Sequence, residues 1–240
     1  MAGLETGRGL QETWEEVAEV LSKIVPVYDK MNRLMSLGQD MKWRREGLLI
    51  ALRPGDTVLD AGCGPGVMSE LALQLIRDLR ITLLDPLDVM LDAAKSRVKD
   101  PSCIFTKGYF EDLAFPDANF DVVMCGFSLR DAKNLDRAIS EIKRVLKPGG
   151  KLLLVDLGKP DNPVTRWLTG GFWRILVPLI AIARLGRTGL LYSALYKTYK
   201  KHPTNSQLLA KLNTYFRDAK MISRMGGGAV IITCSKQNHP

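Results

Sequence analysis

Residues 58–66 read VLDAGCGPG, an apolar run that ends in an acid and is followed by three glycines at alternate positions. The run has the composition of a buried strand, and Gly62, Gly64 and Gly66 leave the backbone free to turn sharply. In an open parallel sheet, a glycine turn after a strand lies at the carboxyl edge of the sheet, where ligands bind. The stretch therefore predicts an α/β fold with a ligand site beside this turn.

Short β-type runs alternate with helical patterns along the middle of the chain. Such alternation indicates a mostly parallel, doubly wound sheet, and two last runs around Gly226-Gly227-Gly228 would complete it as a C-terminal hairpin. We therefore predict a Rossmann-like α/β fold with a mostly parallel, seven-stranded sheet. The predicted strands are TVLDA (57–61), ITLLD (81–85), CIFTK (103–107), FDVVMCG (120–126), KLLLVDL (151–157), MISRM (221–225) and AVIITCS (229–235), and the predicted helices are 68–77, 88–98, 135–146 and 206–218.

Further helical patterns precede the sheet and interrupt it. Apolar residues recur at helical spacing over residues 11–25, and a second helix is predicted from Asp40 to Leu52. We assign residues 1–50 to an N-terminal helical lid and residues 51–240 to the sheet domain, with a helical insert at about 160–205. The uninterrupted apolar part of the insert, residues 175–183, is far shorter than the roughly 20 residues that span a bilayer. We expect that it can lie on a membrane but does not cross one.

Basic residues are concentrated in the last third of the chain. The 240 residues carry a net charge of +8, and the segment 164–224 holds eleven basic residues and a single acid, Asp218. Such a segment attracts nucleic acid or anionic lipid, or forms a solvated helical face.

The cysteines and the N-terminus indicate the compartment. Cys63, Cys103, Cys125 and Cys234 are scattered, without a Cys-x-x-Cys pair or a nearby histidine, so we predict no metal site and free thiols in a reducing compartment. The N-terminal residues lack the apolar core of a signal peptide, which predicts a cytoplasmic protein.

The acid before the glycine turn helps to select the ligand. Val67 stands where the dinucleotide fingerprint needs its third glycine, and no Gly-Lys-Ser/Thr follows, which excludes a phosphate-binding loop. Asp60 suits a cationic amino group better than a pyrophosphate. Asp85, at the end of the second predicted strand, can accept both hydroxyls of a ribose, or it can cap the helix that begins near Leu87. The two acids together predict a nucleoside that carries an amino acid.

Several segments resemble known enzymes. LDAGCGPG (59–66), Asp85 and the run from FDVVMCG to LKPGGKLLLVD (120–156) resemble the class I S-adenosylmethionine-dependent methyltransferases. YDKMNRLMSLGQDMKWRR (28–45) and residues 115–163 are similar to the two signatures of the ubiquinone/menaquinone biosynthesis C-methyltransferases. The resemblance implies S-adenosylmethionine (SAM) as cofactor. It also implies methylation of a ring carbon in a reduced polyprenyl quinone precursor, demethylmenaquinol or 2-polyprenyl-methoxy-benzoquinol.

By this resemblance the cofactor contacts residues that follow several strand ends. Asp60 would face its amino group, Asp85 would take the ribose, and Tyr109-Phe110-Glu111 would lie along the adenine. The family commonly has a small polar or acidic pair where this chain has Tyr109 and Phe110, so we expect aromatic stacking to compensate for a polar contact. The other implied cofactor residues are Gly62, Cys63, Gly64, Pro65, Pro86 and Gly126, the last at a position where relatives often carry serine.

The resemblance also implies which residues act on the quinol. Arg130, in FSLRD, falls where the family has the arginine of FGLRN. Its guanidinium would favour the phenolate or orient a water that takes the proton, because arginine itself is a poor base. The alternative is an ion pair of Arg130 with Asp131 or Asp136.

The first signature supplies the predicted lid over the quinol. Tyr28 and Asn32 would contact the quinol hydroxyls, and Asp29 and Trp43 belong to the same lid. The alternatives are that Trp43 lies in the core and that Asp29 and Asn32 only cap a helix. The histidines, His202 and His239, match no motif of the family, so neither is assigned as a base.

A polyprenyl quinone lies in a bilayer, which gives the insert a role at a membrane. We expect peripheral association with the inner face of an anionic membrane, the alternative being a helical lid packed on its own sheet or on the second subunit of a homodimer. The residues assigned to the lipid surface are Trp167, Phe172, Trp173, Leu176, Leu179 and Ile180, with Arg166, Arg174, Arg184 and Arg187 facing lipid phosphates.

Two other functions stay open from the sequence. In the first, the same cofactor domain serves a SAM-dependent methyltransferase of another lipid or of a small molecule. In the second, the basic segment binds nucleic acid, and the protein is an RNA methyltransferase or a non-catalytic binder. GGGAVIITCSK (226–236) lacks a histidine that relatives often carry, which keeps another lipid substrate in view. The chain shows no recognised RNA-binding motif, so no nucleic-acid partner is expected.

Overall fold

The computed structural model describes residues 25–186, 189, 196 and 199–238. The helix predicted over residues 11–25 lies outside the described residues apart from Val25, as do Arg187 and His239.

Seven strands of the described chain form one sheet in the order β3-β2-β1-β4-β5-β7-β6. The first five strands run parallel, and β7 pairs antiparallel with both β5 and β6. The predicted Rossmann-like, mostly parallel seven-stranded fold is therefore confirmed, including the C-terminal hairpin. The strands are β1 (Thr57–Ala61), β2 (Arg80–Asp85), β3 (Ile104–Lys107), β4 (Phe120–Gly126), β5 (Leu146–Leu157), β6 (Arg217–Arg224) and β7 (Ala229–Ser235).

The helices agree with the predicted ones to within a few residues. They are α1 (Tyr28–Met35), α2 (Asp40–Ala51), α3 (Val67–Leu75), α4 (Asp88–Arg97), α5 (Leu135–Val145), α6 (Pro163–Gly171), α7 (Val177–Leu185) and α8 (Asn205–Tyr215). One difference concerns residues 147–150, which were expected to end a helix outside the sheet. Helix α5 instead ends at Val145, and these residues bulge out of β5, since Phe120 pairs with Leu146 but Val122 pairs with Lys151.

The helices cover both faces of the sheet. One face packs against α5 and α8, whose apolar stripes include Ile139, Ile142 and Leu212. The other face packs against α2, α3 and α4. Helix α2 comes so close that a Cβ on Gly47 would lie 2.9 Å from the Leu153 side chain. Residues 1–50 were assigned to an N-terminal lid. Of these, the residues of α2 pack on the face of the sheet, and those of α1 lie over the carboxyl edge of the sheet.

The helical insert begins as one continuous helix, formed by α6, a π-helical turn (Phe172–Leu176) and α7, which we call the insert helix (residues 163–185). Asn162 caps it by accepting hydrogen bonds from the backbone of Val164 and Thr165. The 22 residues Pro163–Arg184 are long enough to span a membrane, and an 18-residue window within them has a mean hydropathy of 1.2. The uninterrupted apolar part within it is still residues 175–183, between Arg174 and Arg184, and the core helix of a soluble protein meets the same criteria.

The insert helix has two apolar faces. On one, Trp173, Val177 and Ala181 are buried against Met31 of α1 and against Tyr199. This contact corrects the assignment of Trp173 to a lipid surface, because only 4% of that residue is exposed. The other face is open: Val164, Trp167, Ile175, Leu176, Leu179 and Ile182 are all exposed.

Candidate active site

A cleft of about 290 Å³ opens at the carboxyl ends of β1, β2 and β4, between the sheet edge, α1 and the insert helix. Topology places it there, because the parallel strands all end at this edge and the chain crosses to another layer after each of them. Ten of the predicted site residues line the cleft: Tyr28, Asn32, Gly62, Gly64, Asp85, Pro86, Tyr109, Phe110, Glu111 and Arg130.

The glycine turn after β1 forms part of one wall of the cleft. Gly62 has a φ of +66°, and a Cβ on it would lie 2.7 Å from both the Phe110 ring and the Ser128 side chain, so a larger residue does not fit. Gly64 has a φ of +53°, and its missing side chain leaves open space up to the Tyr28 hydroxyl. Cys63 and Pro65 are buried within the turn instead of facing the cleft.

Asp85 connects the turn to the next strand. One carboxylate oxygen accepts a hydrogen bond from the Gly64 backbone N–H at 2.9 Å, and the other accepts from the Leu87 N–H at 3.0 Å. Leu87 is the residue just before α4, so this second bond holds the turn that leads into the helix, and the first turn of α4 has no side-chain cap within the described chain. Burial raises the pKa of Asp85 to about 6, although both backbone hydrogen bonds oppose that shift.

Asp60 lies at the end of β1 and is fully buried, outside the lining of the cleft. One of its oxygens accepts a hydrogen bond from the Ser69 hydroxyl at 2.6 Å, whereas Oδ1 has no hydrogen-bond partner among the described residues. Burial raises the pKa of Asp60 to about 6, and the bond from Ser69 opposes this. A buried carboxylate oxygen without a donor is costly, and a cationic ligand group nearby would lower that cost.

The three residues predicted to lie along an adenine differ in their surroundings. The Phe110 ring is buried against Gly62, while Tyr109 is exposed at the cleft with the Lys133 ammonium 4.1 Å from its ring centroid. Glu111 accepts a hydrogen bond from the Asn134 backbone at 2.9 Å. Tyr109 therefore presents the more accessible aromatic ring to a ligand in the cleft.

Gly126 faces an arginine. A Cβ on Gly126 would lie 2.5 Å from Arg44 Nη1, and Arg44 is buried with its guanidinium 4.7 Å from the Phe127 ring centroid. Gly126 thus makes room for Arg44 beneath the cleft. Arg44 was not predicted as a site residue, because an arginine in an amphipathic helix carries no signal that its charge is buried.

Arg130 forms a buried ionic cluster with Asp131 and Asp156. Its Nη1 donates to Asp156 Oδ1 at 2.6 Å, and its Nε lies 3.8 Å from Asp131 Oδ1. The sequence predicted Asp131 as one partner but missed Asp156 at the end of β5, and the other predicted partner, Asp136, pairs with Lys211 instead. Burial raises the pKa of Asp131 to about 6 against the opposing effect of Arg130.

Helix α1 covers the side of the cleft that faces away from the sheet edge. Tyr28 and Asn32 line the cleft, and Asp29 on the opposite side of the helix pairs with Arg97 of α4. Burial raises the pKa of the Tyr28 phenol, so it stays protonated at neutral pH, although Arg44 and Arg130 oppose the shift. Trp43 belongs both to the core and to the cleft wall, so its two predicted roles coexist.

Two groups of lining residues were not predicted. The residues after β4, including Ser128 and Lys133, could have been found, because that strand ends at the same edge as β1. Residues Leu168, Thr169, Met225 and Gly228 line the other side, and they belong to the insert helix and the β6–β7 turn. Sequence spacing alone does not show that these distant segments meet at the cleft.

Known proteins share this architecture. A family model described as the ubiE/COQ5 methyltransferase family matches residues 9–236. The chain belongs to the ubiE/COQ5 methyltransferase family. It is 34% identical over 223 residues to a demethylmenaquinone methyltransferase of Symbiobacterium thermophilum, covering 88% of this chain and 87% of the relative. It is 31% identical to a ubiquinone/menaquinone biosynthesis C-methyltransferase of Ectopseudomonas mendocina over 224 residues, covering 91% of this chain and 87% of the relative.

Solved structures support the fold. A SAM-dependent methyltransferase of Thermotoga maritima aligns with a TM-score of 0.61 at 16% identity, over 91% of this chain and 99% of that one. One from Aquifex aeolicus aligns with a TM-score of 0.58 at 15% identity, over 87% and 97%. At such identities the likeness concerns the fold alone.

The methyltransferase uses SAM, and its cleft suits that cofactor. The buried, unpaired oxygen of Asp60 suits a cationic amino group, the Asp85 carboxylate suits vicinal hydroxyls, and the open backbone at Gly64 allows close approach. These features lie near the end of β1, in the turn that follows it and at the end of β2, with Asp60 outside the lining of the cleft.

Proposed function

We propose that this methyltransferase transfers a methyl group from SAM to a ring carbon of a reduced polyprenyl quinone precursor, demethylmenaquinol or 2-polyprenyl-methoxy-benzoquinol. The observation that carries this proposal is the division of the cleft into two walls. Carboxylates and the glycine turn form one wall, and apolar side chains of α1 and the insert helix form the other, including Met35, Leu168, Phe172 and Trp173. Such a cleft suits a polar cofactor beside an aromatic substrate that carries an apolar tail.

The reaction needs an electron-rich ring carbon held in line with the methyl group. When bound, SAM supplies an electrophilic methyl group on a sulfonium. Arg130 lies in the cleft wall, where its guanidinium stabilises negative charge on a quinol oxygen. Tyr28 and Asn32 face the same space from α1 and orient the quinol hydroxyls, so that much of the catalysis comes from positioning.

We further propose that the open face of the insert helix rests on the inner surface of an anionic membrane, where the substrate tail lies. Trp167 is 75% exposed, Ile175 60% and Leu179 58%, and together these side chains leave a large apolar surface in contact with water. Arg174 and Arg184 are exposed on the same helix and suit lipid phosphates. The cleft opens beside this helix, so a quinol would enter without leaving the bilayer entirely.

The membrane proposal is tested with vesicles of phosphatidylglycerol and phosphatidylcholine. Ile175→Asp should weaken vesicle binding roughly tenfold or more, because it removes apolar area that the membrane would bury and adds a charge that anionic lipid repels. Ile104→Asp is the matched control, since Ile104 is 59% exposed on β3, away from the cleft. Equal binding by the two variants in flotation assays would contradict the proposed surface.

The reaction is tested on the quinone pool. Cells that lack the protein should accumulate a demethylated quinone that is lighter by one methylene, and restoring the gene should restore the methylated form. Extraction of lipids followed by mass spectrometry measures both. An unchanged pool, with SAM binding confirmed by calorimetry, would assign the methyltransferase to another substrate.

A further inference from the structure

The Arg130–Asp131 pair contains a donor and an acceptor that do not satisfy each other. Arg130 Nε and Asp131 Oδ1 are both buried, and neither has a hydrogen-bond partner among the residues that the structure describes. They lie 3.8 Å apart, which is too far for a hydrogen bond between them. A native structure leaves few such atoms unpaired, and an adjacent unpaired donor and acceptor at a ligand cleft suggest a missing partner.

A hydroxyl group suits this gap. Its oxygen can accept the hydrogen bond of Arg130 Nε while its own hydrogen is donated to Asp131 Oδ1. Both residues contribute to the wall of the cleft, and Tyr28 faces them from α1. The two atoms are covered from solvent, so a hydroxyl requires the lining side chains to shift, but neither atom has a hydrogen bond of its own within the described chain to give up.

We propose that Asp131 is the general base of this methyltransferase, and that it accepts the proton of the quinol hydroxyl that lies beside the methylated carbon. This inference rests on the proposed function. The related motif FGLRN has an asparagine at this place, which cannot take up a proton, so the role is particular to the present chain.

The proton and electron pairs balance as follows. The quinol O–H bond breaks, its proton moves to Asp131, and the electron pair enters the ring while Arg130 stabilises the developing charge. The ring carbon forms its bond to the methyl group as the carbon–sulfur bond breaks and leaves its pair on sulfur. The carbon then loses its hydrogen to water as a proton, the ring becomes aromatic again, and the oxygen regains a proton from Asp131. The net products are the methylated quinol, S-adenosylhomocysteine and one proton.

The acidity of Asp131 is suited to this role. A carboxyl whose pKa is about 6 is ionised at neutral pH but is a stronger base than an ordinary aspartate. The charged groups that act on it are Arg130, Asp156 and Asp85, and Tyr28 lies nearby. Asp85 and Asp60 titrate in the same range, so the pH dependence of the unaltered protein does not by itself identify Asp131.

Comparison of Asp131→Asn with the unaltered protein tests whether Asp131 is the general base. Asp131→Asn should lower kcat by about 100-fold with a change in the quinol KM below about threefold. In the unaltered protein, kcat should fall as the pH drops through about 6, and the variant should lose that dependence. Asp112→Asn changes an exposed carboxylate that does not line the cleft, so it is the matched control and should keep full activity.

Binding of 1-naphthol, a redox-stable phenol, provides a second readout that needs no turnover. Its affinity for the SAM-free protein should fall as Asp131 becomes protonated below about pH 6, and it should be independent of pH over that range in Asp131→Asn. Turnover of the quinol with kcat unchanged in Asp131→Asn would overturn the inference and leave the proposed function standing. A protein that methylates no quinol would overturn both.

Discussion

Replacement of Arg130 by alanine should lower the free energy of unfolding by about 3–5 kcal/mol at neutral pH, because it leaves the buried carboxylates of Asp131 and Asp156 without their cation. The side chains of Arg130 and Asp156 are only 9% and 5% exposed, so solvent screens neither charge effectively. Denaturant unfolding measures the loss. Arg45→Ala removes an exposed arginine from α2 and should change stability by less than about 0.5 kcal/mol.

The pH dependence of this loss has a definite sign. Without Arg130, the folded-state pKa of Asp131 should rise further above that of the unfolded chain. The penalty is then largest above the folded-state pKa, where the carboxylate must be charged, and it shrinks as the pH falls and protonation neutralises it. A loss of stability that is the same at pH 5 and pH 8 would show that these carboxylates are not the cause.

A paired replacement separates folding from catalysis. Arg130→Met combined with Asp156→Asn removes the cation and one of the stranded charges, so it should recover much of the lost stability. The refolded double variant should still turn over slowly, because it lacks the guanidinium that stabilises charge on the quinol oxygen. A stable double variant with full activity would remove Arg130 from the mechanism.

Replacement of Asp85 by alanine should raise the dissociation constant for SAM between about tenfold and 100-fold, since a charge-assisted contact to two hydroxyls contributes roughly 1.5–3 kcal/mol. The same change leaves the Gly64 and Leu87 backbone N–H groups without their acceptor, which loosens the glycine turn as well. Isothermal calorimetry measures the affinity. Asp88→Ala, three residues later, removes an exposed carboxylate that pairs with Lys107 and should bind SAM normally.

The ionisation of Asp85 adds a second test. Its pKa is about 6 because burial disfavours the charge, so SAM affinity should weaken as the pH falls through that value and the carboxylate is lost. Asp85→Ala should lack this part of the pH dependence. Equal affinities for Asp85→Ala and Asp88→Ala would show that Asp85 only holds the two turns around Gly64 and Leu87 and does not bind the ribose.

Local patterns in the sequence were sufficient for the sheet and for the ligand side of the cleft. The run before Gly62 predicts a buried strand, the alternating glycines predict a sharp turn, and Asp85 predicts a ligand contact. Each prediction needs only neighbouring residues, because strand composition and turn geometry are short-range properties. The helix–strand alternation then places these segments at one edge. The same reasoning missed the bulge at residues 147–150, where a Pro-Gly-Gly sequence typical of a helix end lies within a paired strand.

The residues that escaped prediction depend on contacts between distant segments. Asp156 pairs with Arg130 only because β4 and β5 are neighbours, and Arg44 is buried only because Gly126 leaves room for its guanidinium. Trp173 was expected to face lipid, but α1 covers it. An apolar helix does not indicate from its sequence which face meets the protein and which stays open.

The two walls of the cleft have separate structural origins, and this has a consequence for evolution. The groups suited to SAM follow β1 and β2, whereas the apolar wall comes from α1 and the insert helix, which lie outside the sheet. Mutations in these two helices can therefore accumulate without disturbing the strand ends. Selection for a new methyl acceptor would act on a few exchangeable positions while the older half of the site is inherited intact, and a library restricted to α1 and the insert helix would sample the same route in the laboratory.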